Sequence, residues 1–170
     1  IDCRQSWTTY HPRRTRISRE MTIRLDGQVA IVTGAGTGLG RSHAHALAAR
    51  GARVVVNDLG SGVGGPGSIG GGAQEVAVEI EAAGGIAMAI EANVADFRQI
   101  QRMVSETLDV WGRVDILINN AGNLRDKSFA KMTLEDFQAV IDVHLVGSFN
   151  CIRNVWNVMR EQQYGRIVMT

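Results

Sequence analysis

The sequence predicts an α/β protein, a doubly wound parallel sheet with helices on both faces. Three observations predict it. Short apolar runs, rich in β-branched residues, recur at 29–32, 53–57, 86–90 and 114–118. Stretches with apolar residues at three- and four-residue steps fall between them, as amphipathic helices require. A glycine-rich turn joins the first run to the first of these helices. Strands alternating with helices make βαβ units, and those make parallel sheets.

Composition sets the outer bounds. The 170 residues make about one domain. A net charge of +1 gives no electrostatic case for nucleic acid or an anionic membrane. No apolar run reaches the length of a membrane span. Cys3 and Cys151 make neither a disulfide framework nor a zinc site. No metal is expected, and a reducing interior fits best.

Residues 1–25 are basic (Arg4, Arg13, Arg14, Arg16, Arg19) and show no apolar period. They read as a disordered leader to a domain at 26–170. A transit peptide is one account of it. The favoured account is that it lies outside the protein proper, with Met21 a natural start. It lacks the apolar core of a secretion signal.

The first strand breaks at Thr33-Gly34, and Gly36, Gly38 and Gly40 follow. Glycines let a backbone turn tightly and let a pyrophosphate approach without meeting a Cβ. The free N–H groups of the next helix, expected over 41–50, then face the phosphates. His43 and His45 are two apart, so they point to different sides and share no metal. The second strand ends at Asp58, about twenty residues on, where a carboxylate takes ribose hydroxyls.

Residues 60–72 follow, eight of them glycine. They read as a passive insertion or, second, as a flap over an adenine. A helix is expected over 73–83, stopped by Gly84-Gly85, then a third strand and Asn93-Val94. The clearest helix spans 96–111, with Trp111 read as core and Asp96 with Gln99 resembling a capping box. The fourth strand ends in Asn119-Asn120-Ala121-Gly122, at the end of the sheet where ligands bind. Arg125-Asp126-Lys127 is a charged rim, read as solvated before anion-gripping.

Thr133 and Asp136 cap a long helix running to about residue 160. Phe137, Val140, Ile141, Leu145, Ile152, Val155, Trp156 and Met159 form an apolar stripe, wide enough for core and subunit contact. On spacing alone, His144 reads as a buried, satisfied histidine. A fifth strand opens at 166.

These motifs resemble the short-chain dehydrogenase/reductase family across residues 26–170. The matching text is Thr33-Gly34-x-x-x-Gly38-Leu39-Gly40, Asp58, Asn119-Asn120-Ala121-Gly122 and Val143-His144-Leu145-x-Gly147. Val56-Asn57-Asp58-Leu59-Gly60, Leu124-Arg125-Asp126 and Asp142-Val143-His144-Leu145 resemble a subgroup. It comprises the (3R)-hydroxyacyl-CoA dehydrogenase part of peroxisomal multifunctional enzymes and bacterial 3-oxoacyl-carrier-protein reductases. The resemblance implies a Rossmann-type sheet and a nicotinamide dinucleotide. Gly34, Thr37, Gly38, Leu39 and Gly40 would hold its pyrophosphate and adjoining ribose. Asn93 and Val94 would flank the adenine, and Asn120, Ala121 and Gly122 would line the path to the nicotinamide ribose. Asp58 favours NAD over NADP, since a carboxylate repels a 2′-phosphate.

The implied chemistry interconverts a secondary alcohol and a ketone, with an acyl thioester as substrate. A homo-oligomer in the cytoplasm, or in the peroxisome of a eukaryote, is implied as well. The family's catalytic serine, tyrosine and lysine would lie beyond Thr170, and Tyr10 and Tyr164 lack a lysine four residues on. The sheet is therefore expected to be incomplete at its C-terminal side, and the fragment alone inactive. His144 stands where the family has a helix asparagine, and could bridge a water. The alternatives are a non-catalytic dinucleotide-binding protein and a dehydrogenase of steroid or sugar alcohols.

Overall fold

The computed structural model describes residues 23–60 and 72–170. The expectations for residues 1–22 and 61–71 lie outside the described residues. The elements run β1 (Val29–Thr33), α1 (Gly38–Ala48), β2 (Arg53–Asp58), α2 (Ala73–Ala82), β3 (Ile86–Glu91), α3 (Phe97–Trp111), β4 (Ile116–Asn119), α4 (Leu134–Ile141), α5 (Gly147–Glu161) and β5 (Arg166–Met169). The five strands form one sheet in the order β3-β2-β1-β4-β5. Every pairing is parallel. The chain winds outward from β1 to β3, then crosses back to place β4 on the other side of β1. That reversal leaves a crevice at the carboxyl ends of β1 and β4, where such sheets bind ligands.

Side-chain alternation along the strands divides the core. Ala30 and Val32 of β1, Val54 and Val56 of β2, and Ile116 and Ile118 of β4 face one way, onto Ala44, Ala48, Val76 and Ile80 of α1 and α2. Ile31, Val55 and Leu117 face the other, onto Ile100, Met103 and Val104 of α3 and Cys151, Val155 and Met159 of α5. Both faces of the inner strands are thus dry, which is why they read as continuous apolar runs. Burial pushes the Cys151 thiol up to about 12, so this cysteine is core and not nucleophile.

Helix boundaries depart from the sequence reading in instructive ways. α1 begins at Gly38, three residues before the expected start. Asp96 caps α3 as expected, accepting the N–H groups of Arg98 and Gln99. Those bonds hold its carboxyl below the usual carboxylate range, the Gln99 N–H contributing most. The reciprocal half of a capping box is missing, because Gln99 Oε1 accepts the Asn93 N–H instead. Trp111 is half-buried at the core edge. At α4, Thr133 and Asp136 do form a full capping box.

The long helix expected to run to residue 160 is not one α-helix. A π-helical segment, Asp142–Val146, separates α4 from α5, and the Gly147 N–H donates to the Asp142 carbonyl five residues back. One extra residue turns the faces that follow by about 100°. Val155 and Met159 stay in the core, whereas Phe137, Leu145 and Trp156 are exposed. His144, expected to be buried, is exposed too.

At the opposite end of the sheet, Asp115 is fully buried. It accepts the Val29 N–H at 2.9 Å and both Nε and a terminal nitrogen of Arg113 at 2.7 Å. Asp115→Ala would orphan the Val29 N–H inside the core. The expected cost is about 1–3 kcal/mol, read as a lower urea midpoint at unchanged slope.

Candidate active-site crevice

The crevice is built by two loops that lean on each other. The first runs from Thr33 through the glycines into α1. The second is Asn120-Ala121-Gly122, directly after β4. Thr33 is buried, and its Oγ1 accepts the N–H groups of Asn120 and Ala121, both at 3.0 Å. The same hydroxyl donates to the Ile118 carbonyl at 3.3 Å. In return, Asn120 Nδ2 donates to the carbonyls of Thr33 and Gly34, both at 3.0 Å. Two side chains thereby fix both loop backbones across the strand junction.

Space at this junction explains the glycine at position 40. A Cβ there would run into the Gly34 carbonyl oxygen and stand 2.5 Å from Asn120 Nδ2. Gly38 differs. It has φ +56°, and a Cβ on it would meet nothing within 4 Å. Its face is open. Thr37 begins α1 without a side-chain cap, and no acid stands in the first turn. The uncapped N-terminus keeps its positive end available to an anion. The donor end and the open glycine face fit a pyrophosphate. Leu39, exposed beside them, borders the same opening.

Asp58 closes β2 next to this loop. Its Oδ2 accepts the Gly36 N–H and its Oδ1 the Gly60 N–H, both at 2.9 Å. Each oxygen keeps a lone pair for a further donor. Asn57, one residue earlier, is buried and donates to the carbonyls of Ile90 and Ala92. This bond carries the geometry of β2 across to Asn93. Asn93 Oδ1 accepts the Ala95 N–H at 3.0 Å and leaves the side chain half-buried at the rim. Val94 is only 6% exposed and packs in the core. Its carbonyl accepts Asn150 Nδ2 of α5 at 2.9 Å.

The sequence-derived residues Gly34, Thr37, Gly38, Leu39, Gly40, Asp58, Asn93, Asn120, Ala121 and Gly122 thus all stand at the carboxyl end of the sheet. Val94 stands there with its side chain turned inward. His144 reaches the same end from the π-helical segment. Its Nε2 lies 3.1 Å from the Asn123 nitrogen and 3.0 Å from the Asn123 oxygen. On the rim, Lys127 pairs with Asp136, and Arg125 turns to the Leu124 carbonyl. The Lys127 ammonium holds the Asp136 carboxyl below its usual range.

Sequence reading did not single out Thr33 or Asn57 as organisers. Each is a polar side chain ending a buried β-branched run, and that signal could have found both. Among the described residues, no group of three or more His, Cys, Asp or Glu gathers as metal ligands. Nor is any helix there long and apolar enough to cross a membrane.

Two alanine substitutions separate the roles of these glycines. Gly40→Ala is expected to unlatch the loop pair, lowering the unfolding midpoint and abolishing dinucleotide binding together. Gly38→Ala meets no neighbour and costs about 1–2 kcal/mol of left-handed strain. It should keep the fold while weakening dinucleotide affinity, as read by thermal melts beside calorimetric titration.

Comparison with known proteins agrees with this geometry. The family model described as short chain dehydrogenase matches residues 28–170. Peroxisomal multifunctional enzyme type 2 of Mus musculus is 47% identical over 148 residues, covering 87% of this chain and 20% of that protein. A 3-oxoacyl-[acyl-carrier-protein] reductase of Synechocystis sp. is 45% identical over 144 residues, covering 85% of this chain and 55% of that one. The crystal structure of a short chain dehydrogenase from Mycobacterium avium superposes with a TM-score of 0.75 at 47% identity. That match covers 85% of this chain and 52% of the other. The chain therefore spans about half, or less, of the length of these relatives. On its matched residues, its parallel sheet and its latched glycine loop, the chain belongs to the short-chain dehydrogenase family, whose members are oxidoreductases using nicotinamide dinucleotides.

Proposed function

We propose that the chain forms the NAD-binding part of an oxidoreductase that interconverts a secondary alcohol and a ketone. The substrate class is a 3-hydroxyacyl or 3-oxoacyl thioester. The relatives support that class: one is named for reduction of 3-oxoacyl groups on a carrier protein, another as a peroxisomal hydratase-dehydrogenase-epimerase. The cofactor would supply or take up the hydride.

The residues of this chain hold and orient. The uncapped N–H groups of Gly38, Leu39 and Gly40, with Thr37 and Gly34, take the pyrophosphate and adjoining ribose. Asn93 borders the adenine, with Val94 shaping the wall from behind. Asn120, Ala121 and Gly122 line the path to the nicotinamide ribose. The whole protein would assemble as a homo-oligomer, with Phe149 and Trp156 of α5 exposed for subunit contact. In a eukaryote this reading places it in the peroxisome.

One observation carries the cofactor preference. Asp58 is fixed by two backbone N–H groups at the end of β2, with lone pairs left for two ribose hydroxyls. A 2′-phosphate in that place would meet a carboxylate at short range. Neither Thr37 nor Leu59 offers a compensating positive charge.

Calorimetric titration of the 170-residue chain with NAD and NADP tests this. NAD is expected to bind at least tenfold more tightly, a difference of about 1.4 kcal/mol. Asp58→Arg should reverse the order, and equal affinities in the unaltered chain would overturn the assignment. The chain alone, with no Tyr-x-x-x-Lys in its sequence, is expected to bind without turnover in an NAD-coupled assay on 3-hydroxyacyl thioesters.

A further inference from the structure

We propose that His144 is a proton-dependent positioning residue, which holds the Asn123 N–H at the end of β4 only while its Nε2 carries no proton. Its consequence for ligand binding rests on the dinucleotide reading above; its geometry does not.

The ring nitrogen meets two backbone groups of the same residue. Nε2 is 3.1 Å from the Asn123 nitrogen and 3.0 Å from the Asn123 carbonyl oxygen. A ring nitrogen is either a donor or an acceptor, never both. A bare Nε2 accepts the Asn123 N–H and opposes its lone pair to the carbonyl. A protonated Nε2 donates to the carbonyl and confronts the N–H. The imidazolium carries protons on both nitrogens, so acid selects the second arrangement alone.

The ring is confined on one side and exposed on the other. It lies on Gly122, where a Cβ would stand 2.7 Å from Cε1. The His144 carbonyl is engaged by Ser148 Oγ at 2.6 Å. Asn123 is tethered by Nδ2 to the Ala139 carbonyl at 3.0 Å, and its Oδ1 is buried without a partner. The Ala139 bond tethers the loop beside the ring.

The stretch from Asn123 to Thr133 carries Arg125, Asp126, Lys127 and Lys131. The helices and the π-helical segment carry Glu135, Asp136, Asp142, Arg153, Arg160 and Glu161. Lys127 is paired with Asp136, and Asp142 accepts from Gln138 Nε2. Among the described residues no acid pairs with His144. An amide here would have a donor and an acceptor, and could satisfy both backbone groups at any pH.

The test is an amide NMR titration of the chain from pH 8 to pH 5, where histidines change charge. The Asn123 amide is expected to shift and to lose exchange protection as pH falls. Its midpoint should match that of the His144 ring, and His144→Asn should leave it flat. An Asn123 amide that stays constant while the ring titrates overturns the proposal. So does the same titration in His144→Asn. If that variant does not fold, the two midpoints in the unaltered chain decide alone. Dinucleotide affinity should fall several-fold over the same range and stay level in His144→Asn. A shifting Asn123 amide without dinucleotide binding would support the proposal and refute the function reading instead.

Discussion

The crevice between β1 and β4 is held by two short polar side chains. Thr33 accepts two N–H groups of the second loop, and Asn120 donates to two carbonyls of the first. These groups lie at strand ends, where the sheet ladder no longer satisfies them. Without the exchange, several partly buried backbone groups would go unpaired, at about 1–3 kcal/mol each. The same exchange brings the Asn120 amide and the Gly34 carbonyl so close to Gly40 that no side chain fits there. Gly38, two residues away, keeps its face open.

The rest of the site inherits this frame. Asp58 reaches the glycine loop through the Gly36 N–H, so β2 is registered to it by a carboxylate as well as by the strand ladder. Asn57 extends the register to the β3 end, and Asn150 ties α5 to the Val94 carbonyl. A chain of polar side chains thus crosses the carboxyl edge of the sheet. Farther out, Glu79 of α2 accepts from both Arg41 and His45 of α1, clamping the helices that flank the loop.

Much of this was legible because its signals are local. β-branched runs marked the strands, and the order of strands and helices gave the parallel sheet. Asp58 and Asn120 stood at the ends of readable strands. What escaped depends on distant partners or on an inserted residue. The Thr33 hydroxyl finds its acceptor and donors more than eighty positions away. The start of α1 at Gly38 runs against glycine's poor helix propensity, which is why the expected start fell three residues later. The apolar stripe of 134–160 was read with one period throughout. The π-helical segment breaks that period, so Leu145 and His144 leave the core while Val155 and Met159 remain in it.

We propose that the two loops act as one binding unit. Hydrogen exchange of the chain with and without NAD tests it most directly. NAD is expected to slow exchange together in residues 34–40 and in residues 120–123, with Gly60 following through Asp58. Protection confined to the glycine loop, with residues 120–123 unchanged, would contradict it.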